Sequence, residues 1–113
     1  MSQRTLVLHP VLPKAPHWRD PELRLEEGIG LAHAIDLNVI TGAIVTLRDI
    51  KPSTLIGEGK IEEIHALIQS EEIGLVVIDS QLSPVQQRNL EKAWNCKVID
   101  RTALILEIFG VLS

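Results

Sequence analysis

The residues best placed to do chemistry lie in a glycine turn, TLIGEGKIEEI, at residues 54–64. An apolar run meets two glycines and a lysine before an amphipathic segment begins, which is the layout of a phosphate-holding loop. A Gly-x-x-x-x-Gly-Lys-Ser/Thr loop works because backbone amides wrap the phosphates and the hydroxyl holds magnesium. Here Thr54 stands at the first glycine of that pattern, and Ile61 replaces the hydroxyl after Lys60. The dinucleotide pattern Gly-x-Gly-x-x-Gly fails too, because Glu62 occupies its third glycine position. Two readings stay open. Gly57 and Gly59 permit a tight turn beside a solvated Lys60, or the helix N-terminus beside Lys60 attracts an anion weakly.

Other polar residues offer less. Asp79 ends the most hydrophobic run, LVVID, and Asp100 ends KVID. The carboxyl ends of parallel strands are where α/β proteins place sites, so these carboxylates could face one another or bind a cation. Helix capping is the competing role, and Asp100 before Arg-Thr-Ala fits it well. None of His9, His17, His33 and His65 has a second ligand at metal spacing, which predicts no metal site. Cys96, the single cysteine, reads as a buried, inert thiol. Arg88, Asn89, Glu91 and Lys92 form a charged helical face, solvated by default and a partner contact otherwise.

The elements that would position these residues alternate. Residues 4–9 predict a strand closed by Pro10 and Pro13, and a proline-rich loop follows. Asp20 before Pro21 marks a helix start, and apolar spacing carries that helix to about residue 36. Its Gly28 and Gly30 suggest close packing against a neighbour. Residues 38–47 read as a second strand with a bulge at Gly42, and TLIG at 54–57 as a third. Ile61, Ile64, Leu67 and Ile68 share one helical face. LVVID is a strand of the kind buried on both faces. Ser83, Pro84 and Gln86 form a capping box for a helix reaching Trp94. Residues 97–99 form the last strand, and Asp100 caps a helix presenting Leu104, Ile105, Ile108 and Phe109. The sum is an α/β fold in β-α-β-β-α-β-α-β-α order, with a mainly parallel, mixed sheet of about five short strands and helices on its faces. The short link between the second and third strands predicts an antiparallel pair there.

Composition sets the outer limits. The chain carries 45% hydrophobic residues and a net charge of −4, with only 3% aromatics, so its core is aliphatic. The eleven basic residues are scattered, which argues against coating a nucleic acid, and no direct DNA binding is expected. A lone cysteine, the lack of a signal-peptide pattern and the lack of a long apolar run predict a cytoplasmic protein without membrane contact.

From residue 54 onward the order of TLIGEGKIEEI, LVVID, LSPVQQRNLEKAW and KVIDRTALILEIF resembles the N-terminal domain of the HflX family of ribosome-associated GTPases. The upstream RLEEGIGLAHAIDLNVI and IVTLRDIKPSTLIG look like the opening half of that domain, so residues 1–113 read as one domain, with 110–113 a non-native or truncated tail. The resemblance implies a parent with this domain, a helical hairpin and a G domain that binds GTP with magnesium. It also implies association with the large ribosomal subunit. The expectation is a non-catalytic regulatory and interaction module with no cofactor of its own, packing against the hairpin and the G domain. The resemblance also carries a suggestion of adenine-nucleotide binding, which falls on Gly57, Gly59 and Lys60. The competing expectation is a small nucleotide-binding domain with weak ATPase activity, using Lys60 and a magnesium held by Asp79 or Asp100. A homodimer through the apolar end, LILEIFGVL, is a further expectation.

Overall fold

The computed structural model describes residues 3–14, 16 and 20–108. The expectations placed on His17, Trp18, Phe109 and the tail from 110 to 113 lie outside the described residues. Four strands and four helices alternate: β1 (Arg4–Val11), α1 (Pro21–Ala34), β2 (Asn38–Thr46), α2 (Glu58–Ser70), β3 (Leu75–Ile78), α3 (Pro84–Trp94), β4 (Lys97–Asp100) and α4 (Arg101–Ile108). The sheet order is β2-β1-β3-β4, and every pairing in it is parallel.

The α/β class and the parallel sheet match the sequence reading, while the antiparallel third strand does not. TLIG contributes only an isolated bridge between Lys51 and Leu55, and α2 begins directly at Glu58. Leu55 takes φ 68°, a left-handed conformation that ends any extended run at that point. The bulge also moves. Thr5 pairs with Val39 and Leu6 with Thr41, so the extra residue is Ile40. Gly42 instead makes room for α1, since a Cβ there would lie 2.9 Å from the Ile29 Cδ1.

β1 does not stop at Pro10, as the sequence suggested, but runs through it to Val11. Alternation explains why. The carbonyls of Arg4 and Leu8 accept from Gly74 and Asp79 on the β3 side, whereas the Val11 carbonyl accepts from Leu47 on the β2 side. Pro10 therefore directs its nitrogen toward β3, which has already ended at Ile78 opposite Leu8. The ring costs no ladder hydrogen bond there.

Alternation also builds two cores. Leu6, Leu8, Val76, Ile78 and Val98 face α2 and α3, where Ile64, Ile68, Leu90 and Trp94 close the larger one. Val7, Leu75 and Val77 face α1 and α4, meeting Ala32 and Leu104. The Trp94 indole N–H donates to the Ile61 carbonyl at 3.0 Å, tying α3 to α2.

The edge strand β4 is closed by side chains. Gln87 donates to the Val98 carbonyl at 2.8 Å, and Glu91 accepts from the Val98 amide at 3.1 Å. These bonds satisfy a residue whose backbone groups would otherwise lie open at the edge. Gln86 and Asn89 donate to the carbonyls of Lys51 and Ser53, pinning the loop before α2. Much of the LSPVQQRNLE run is thus internal scaffolding. Asn89 and Glu91, read from sequence as part of a solvated face, bond within the chain.

Candidate functional site

The glycine turn is an ordinary helix start. Gly57 is the N-cap of α2 with φ −69°, and no side chain caps that end. A Cβ at Gly57 or at Gly59 would meet nothing within 4 Å, so neither close packing nor a left-handed backbone requires glycine at either position. Lys60 is exposed and its Nζ lies 3.2 Å from Glu63, one turn along the same helix.

A different group of residues converges at the carboxyl end of the sheet. The chain leaves β1 for β2 on one side and returns past β1 to β3 on the other, so β1 and β3 are the point where winding reverses. β1 outruns β3 there, leaving an open flank beside His9, Pro10 and Val11. Such a crevice is where doubly wound sheets hold ligands. Here it forms a cavity of about 1050 Å³, lined by His9, Lys14, Arg24, Arg48, Asp79 and Arg101 together with a rim of prolines and Ile50.

Asp79 organises its floor. The residue follows β3 and is buried, and its side chain is only 2% exposed. By alternation from Val77 it turns toward α1, where a Cβ added at Gly28 would lie 3.5 Å from its carboxylate. The close approach of Gly28 thus helps cover the carboxylate; Gly30, by contrast, has open space around it. The His9 Nδ1 donates to Asp79 Oδ2 at 3.0 Å, and the Arg101 Nη1 donates to Oδ1 at 2.6 Å. Both carboxylate oxygens are engaged by positive or polar donors, which is what keeps a buried carboxylate tolerable.

Asp100 does not join Asp79. Its Oδ2 accepts from the Leu82 amide at 3.1 Å and its Oδ1 from the Ala103 amide at 3.0 Å. It caps α4, the role its sequence context favoured, and fastens the β3–α3 loop to that helix. Each oxygen of both aspartates accepts from a protein donor, and the two carboxylates lie in separate hydrogen-bond networks rather than facing one another. Among the described residues no group of three or more His, Cys, Asp or Glu side chains is arranged to hold a metal.

The positive charge of the crevice comes from four separate places in the chain: Lys14 after β1, Arg24 in α1, Arg48 after β2 and Arg101 at the start of α4. Arg24 leans on Glu27 at 3.6 Å on the surface, and Asp49 is offset by Lys51 at 3.2 Å. Arg48 and Lys14 have no ion-pair partner among the described residues. Sequence inspection missed Lys14, Arg24, Arg48 and Arg101, because scattered basic residues carry no local signal until the fold collects them. Only Asp79, at the end of its apolar strand, gave one.

Cys96 lies at the far end of α3, half-buried, with its Sγ 3.7 Å from the Ile73 carbonyl. Burial, reinforced by the Glu91 carboxylate and opposed by a backbone hydrogen bond at Lys97, pushes this thiol up. A raised thiol is a poor nucleophile at neutral pH, as the inert reading expected.

Comparison with known proteins gives a consistent result. The family described as GTP-binding GTPase N-terminal matches residues 22–110. The GTPase HflX of Magnetococcus marinus is 41% identical over 108 residues, covering 95% of this chain and 24% of that protein. The GTPase HflX of Escherichia coli is 45% identical over 74 residues, covering 66% of this chain and 17% of that protein. Among solved structures, a GTP-binding protein from Sulfolobus solfataricus in complex with GDP superposes with a TM-score of 0.64 at 25% identity, over 95% of this chain and 30% of that one. This chain therefore spans about a quarter or less of the length of these curated relatives.

Proposed function

This chain belongs to the GTP-binding GTPase N-terminal family of HflX-type proteins, and we propose that it is the regulatory and interaction domain of a ribosome-associated, GTP-binding protein. In this reading the domain performs no turnover of its own. It packs against a helical hairpin and a G domain and helps the whole protein engage the large ribosomal subunit in the cytoplasm.

The observation that carries the proposal is the match of a GTPase N-terminal family across residues 22–110, within relatives several times longer than this chain. The local chemistry agrees. The glycine turn lacks the first glycine and the magnesium-holding hydroxyl of a triphosphate loop. The oxygens of Asp79 and Asp100, which the alternative ATPase reading would give to magnesium, each already accept a hydrogen bond that holds the fold, with which a cation would compete. Gly57, Gly59 and Lys60 keep a subsidiary place as a weak anion contact at the open N-terminus of α2.

Two measurements test the proposal. Purified chain incubated with GTP or ATP and magnesium is expected to release no phosphate above a protein-free blank. Full-length protein is expected to sediment with large ribosomal subunits, and deletion of this domain to weaken that association. Steady phosphate release from the chain alone, or full ribosome binding after the deletion, would overturn the reading.

A further inference from the structure

We propose that the crevice between β1 and β3 is a binding site for a small phosphate-bearing molecule, and that Arg101 links its occupancy to the start of α4. The inference is independent of ribosome association and of the glycine turn. It rests on the cavity, its charge and its floor.

The cavity, at about 1050 Å³, is of the size that holds small ligands rather than single ions. It opens where the winding of the sheet reverses, beyond the carboxyl ends of two parallel strands. Asp79 is already neutralised by Arg101 and hydrogen-bonded to His9, and Asp49 is offset by Lys51. Lys14 and Arg48 are left without an ion-pair partner among the described residues, and Arg24, shared with Glu27 at 3.6 Å, lines the same space. Arginines suit phosphate because a planar fork of donors matches its oxygens. The Nδ1 of His9 donates to Asp79, which leaves its Nε2 as an acceptor for a hydroxyl of the ligand rather than for its phosphate oxygens.

Arg101 makes the site more than a patch. It is the first residue of α4, 35% exposed at its side chain, and only one of its guanidinium nitrogens is committed to Asp79. Its backbone amide also donates to the Ser80 carbonyl at 3.2 Å. A phosphate entering the crevice can share or draw this guanidinium. Any such movement is felt by the first turn of α4, because the side chain and the helix start belong to one residue.

The test titrates the whole 113-residue chain with pyrophosphate, read by amide chemical shifts and by the thermal midpoint. Saturable binding is expected, with shifts at His9, Ser80 and Arg101 to Leu104, weakening as salt is raised. The surface double variant Arg24→Gln with Arg48→Gln is expected to weaken binding by about tenfold or more without lowering the thermal midpoint of the free chain. Lys60→Gln, at the separate α2 contact, is expected to leave the shifts at His9, Ser80 and Arg101 to Leu104 unchanged. The proposal is overturned by no saturable shift up to about 10 mM, by equal loss in the Lys60 variant, or by shifts confined to residues 57–60. Tighter binding of an Asp/Glu-rich peptide than of pyrophosphate would also overturn it, assigning the crevice to protein docking.

Discussion

Replacing Asp79 by asparagine tests whether its buried carboxylate supports the fold or is held against it. The side chain is 2% exposed, and its two oxygens meet Arg101 at 2.6 Å and His9 at 3.0 Å. Asparagine keeps the shape, and its carbonyl can still accept from Arg101. Its amide then faces the His9 Nδ1, which must become an acceptor, so the imidazole shifts its proton to Nε2. The loss is therefore the charge assistance of the two bonds, the difference between roughly 1.5–3 kcal/mol and 0.5–1.5 kcal/mol for a neutral one. Two opposing effects reduce it. A neutral amide is cheaper to bury than a carboxylate, and the one-third exposed Arg101 recovers water when its partner loses charge. The expected net cost is about 1–2 kcal/mol, a fall in thermal midpoint of roughly 5–10 °C for a domain of this size. Urea unfolding of the wild type, Asp79→Asn, Arg101→Gln and the double variant closes the cycle, with a coupling of about 1 kcal/mol expected. If Asp79→Asn is as stable as the wild type or more stable, the carboxylate is retained at the expense of stability, and the structural account of it fails.

Three further outcomes follow from other parts of the fold. Gly59→Ala should raise stability by roughly 0.5–1 kcal/mol in chemical denaturation, because the new Cβ meets open space in the first turn of α2; a loss would show that the turn needs glycine. Gln87→Ala with Glu91→Ala removes both bonds to Val98 and should cost about 2 kcal/mol, with light scattering reporting association through the opened β4 edge. Cys96 should alkylate more slowly in the folded chain than free cysteine at mildly alkaline pH, and Glu91→Gln, which removes one cause of the raised thiol, should speed it. Since the folded thiol holds its proton more tightly than the unfolded one, this contribution is complete below about pH 8.5 and declines as pH rises past it.

Helix starts were legible in the sequence because their chemistry is local. Ser83, Pro84 and Gln86 form the capping box the spacing implied, and Asp20 accepts from the Glu22 amide at 3.0 Å. Two errors came from effects that one segment cannot reveal. Pro10 looks like a strand end until it is known which of its flanks is open. TLIG looks like a strand because nothing about a leucine announces a left-handed φ of 68°. The crevice was the least legible feature. His9, Asp79 and Arg101 lie 70 and 22 residues apart, and only the parallel register of β1 with β3 puts the first two side by side. The glycine turn, conspicuous in sequence, has nothing packed against its glycines.

A domain without turnover can still regulate if one of its surfaces is tied to an element that changes orientation. Under the proposed regulatory role α4 is the candidate for that element, because it starts where two strand ends deliver their aspartates. Asp100 caps its first turn and holds the β3–α3 loop to it, while Asp79 grips the side chain of its first residue. The two attachments differ in character. Asp100 binds backbone amides that no soluble anion replaces easily, whereas Asp79 binds a guanidinium that is partly in water and can turn toward another anion. A preference of about 1.4 kcal/mol for one setting of Arg101 changes the ratio of two α4 orientations tenfold. The estimated strength of the Asp79 attachment is of that order, so its exchange for a phosphate contact is enough to move such an equilibrium. The Asp100 cap, left in place, would hold the first turn of α4 wound during such an exchange.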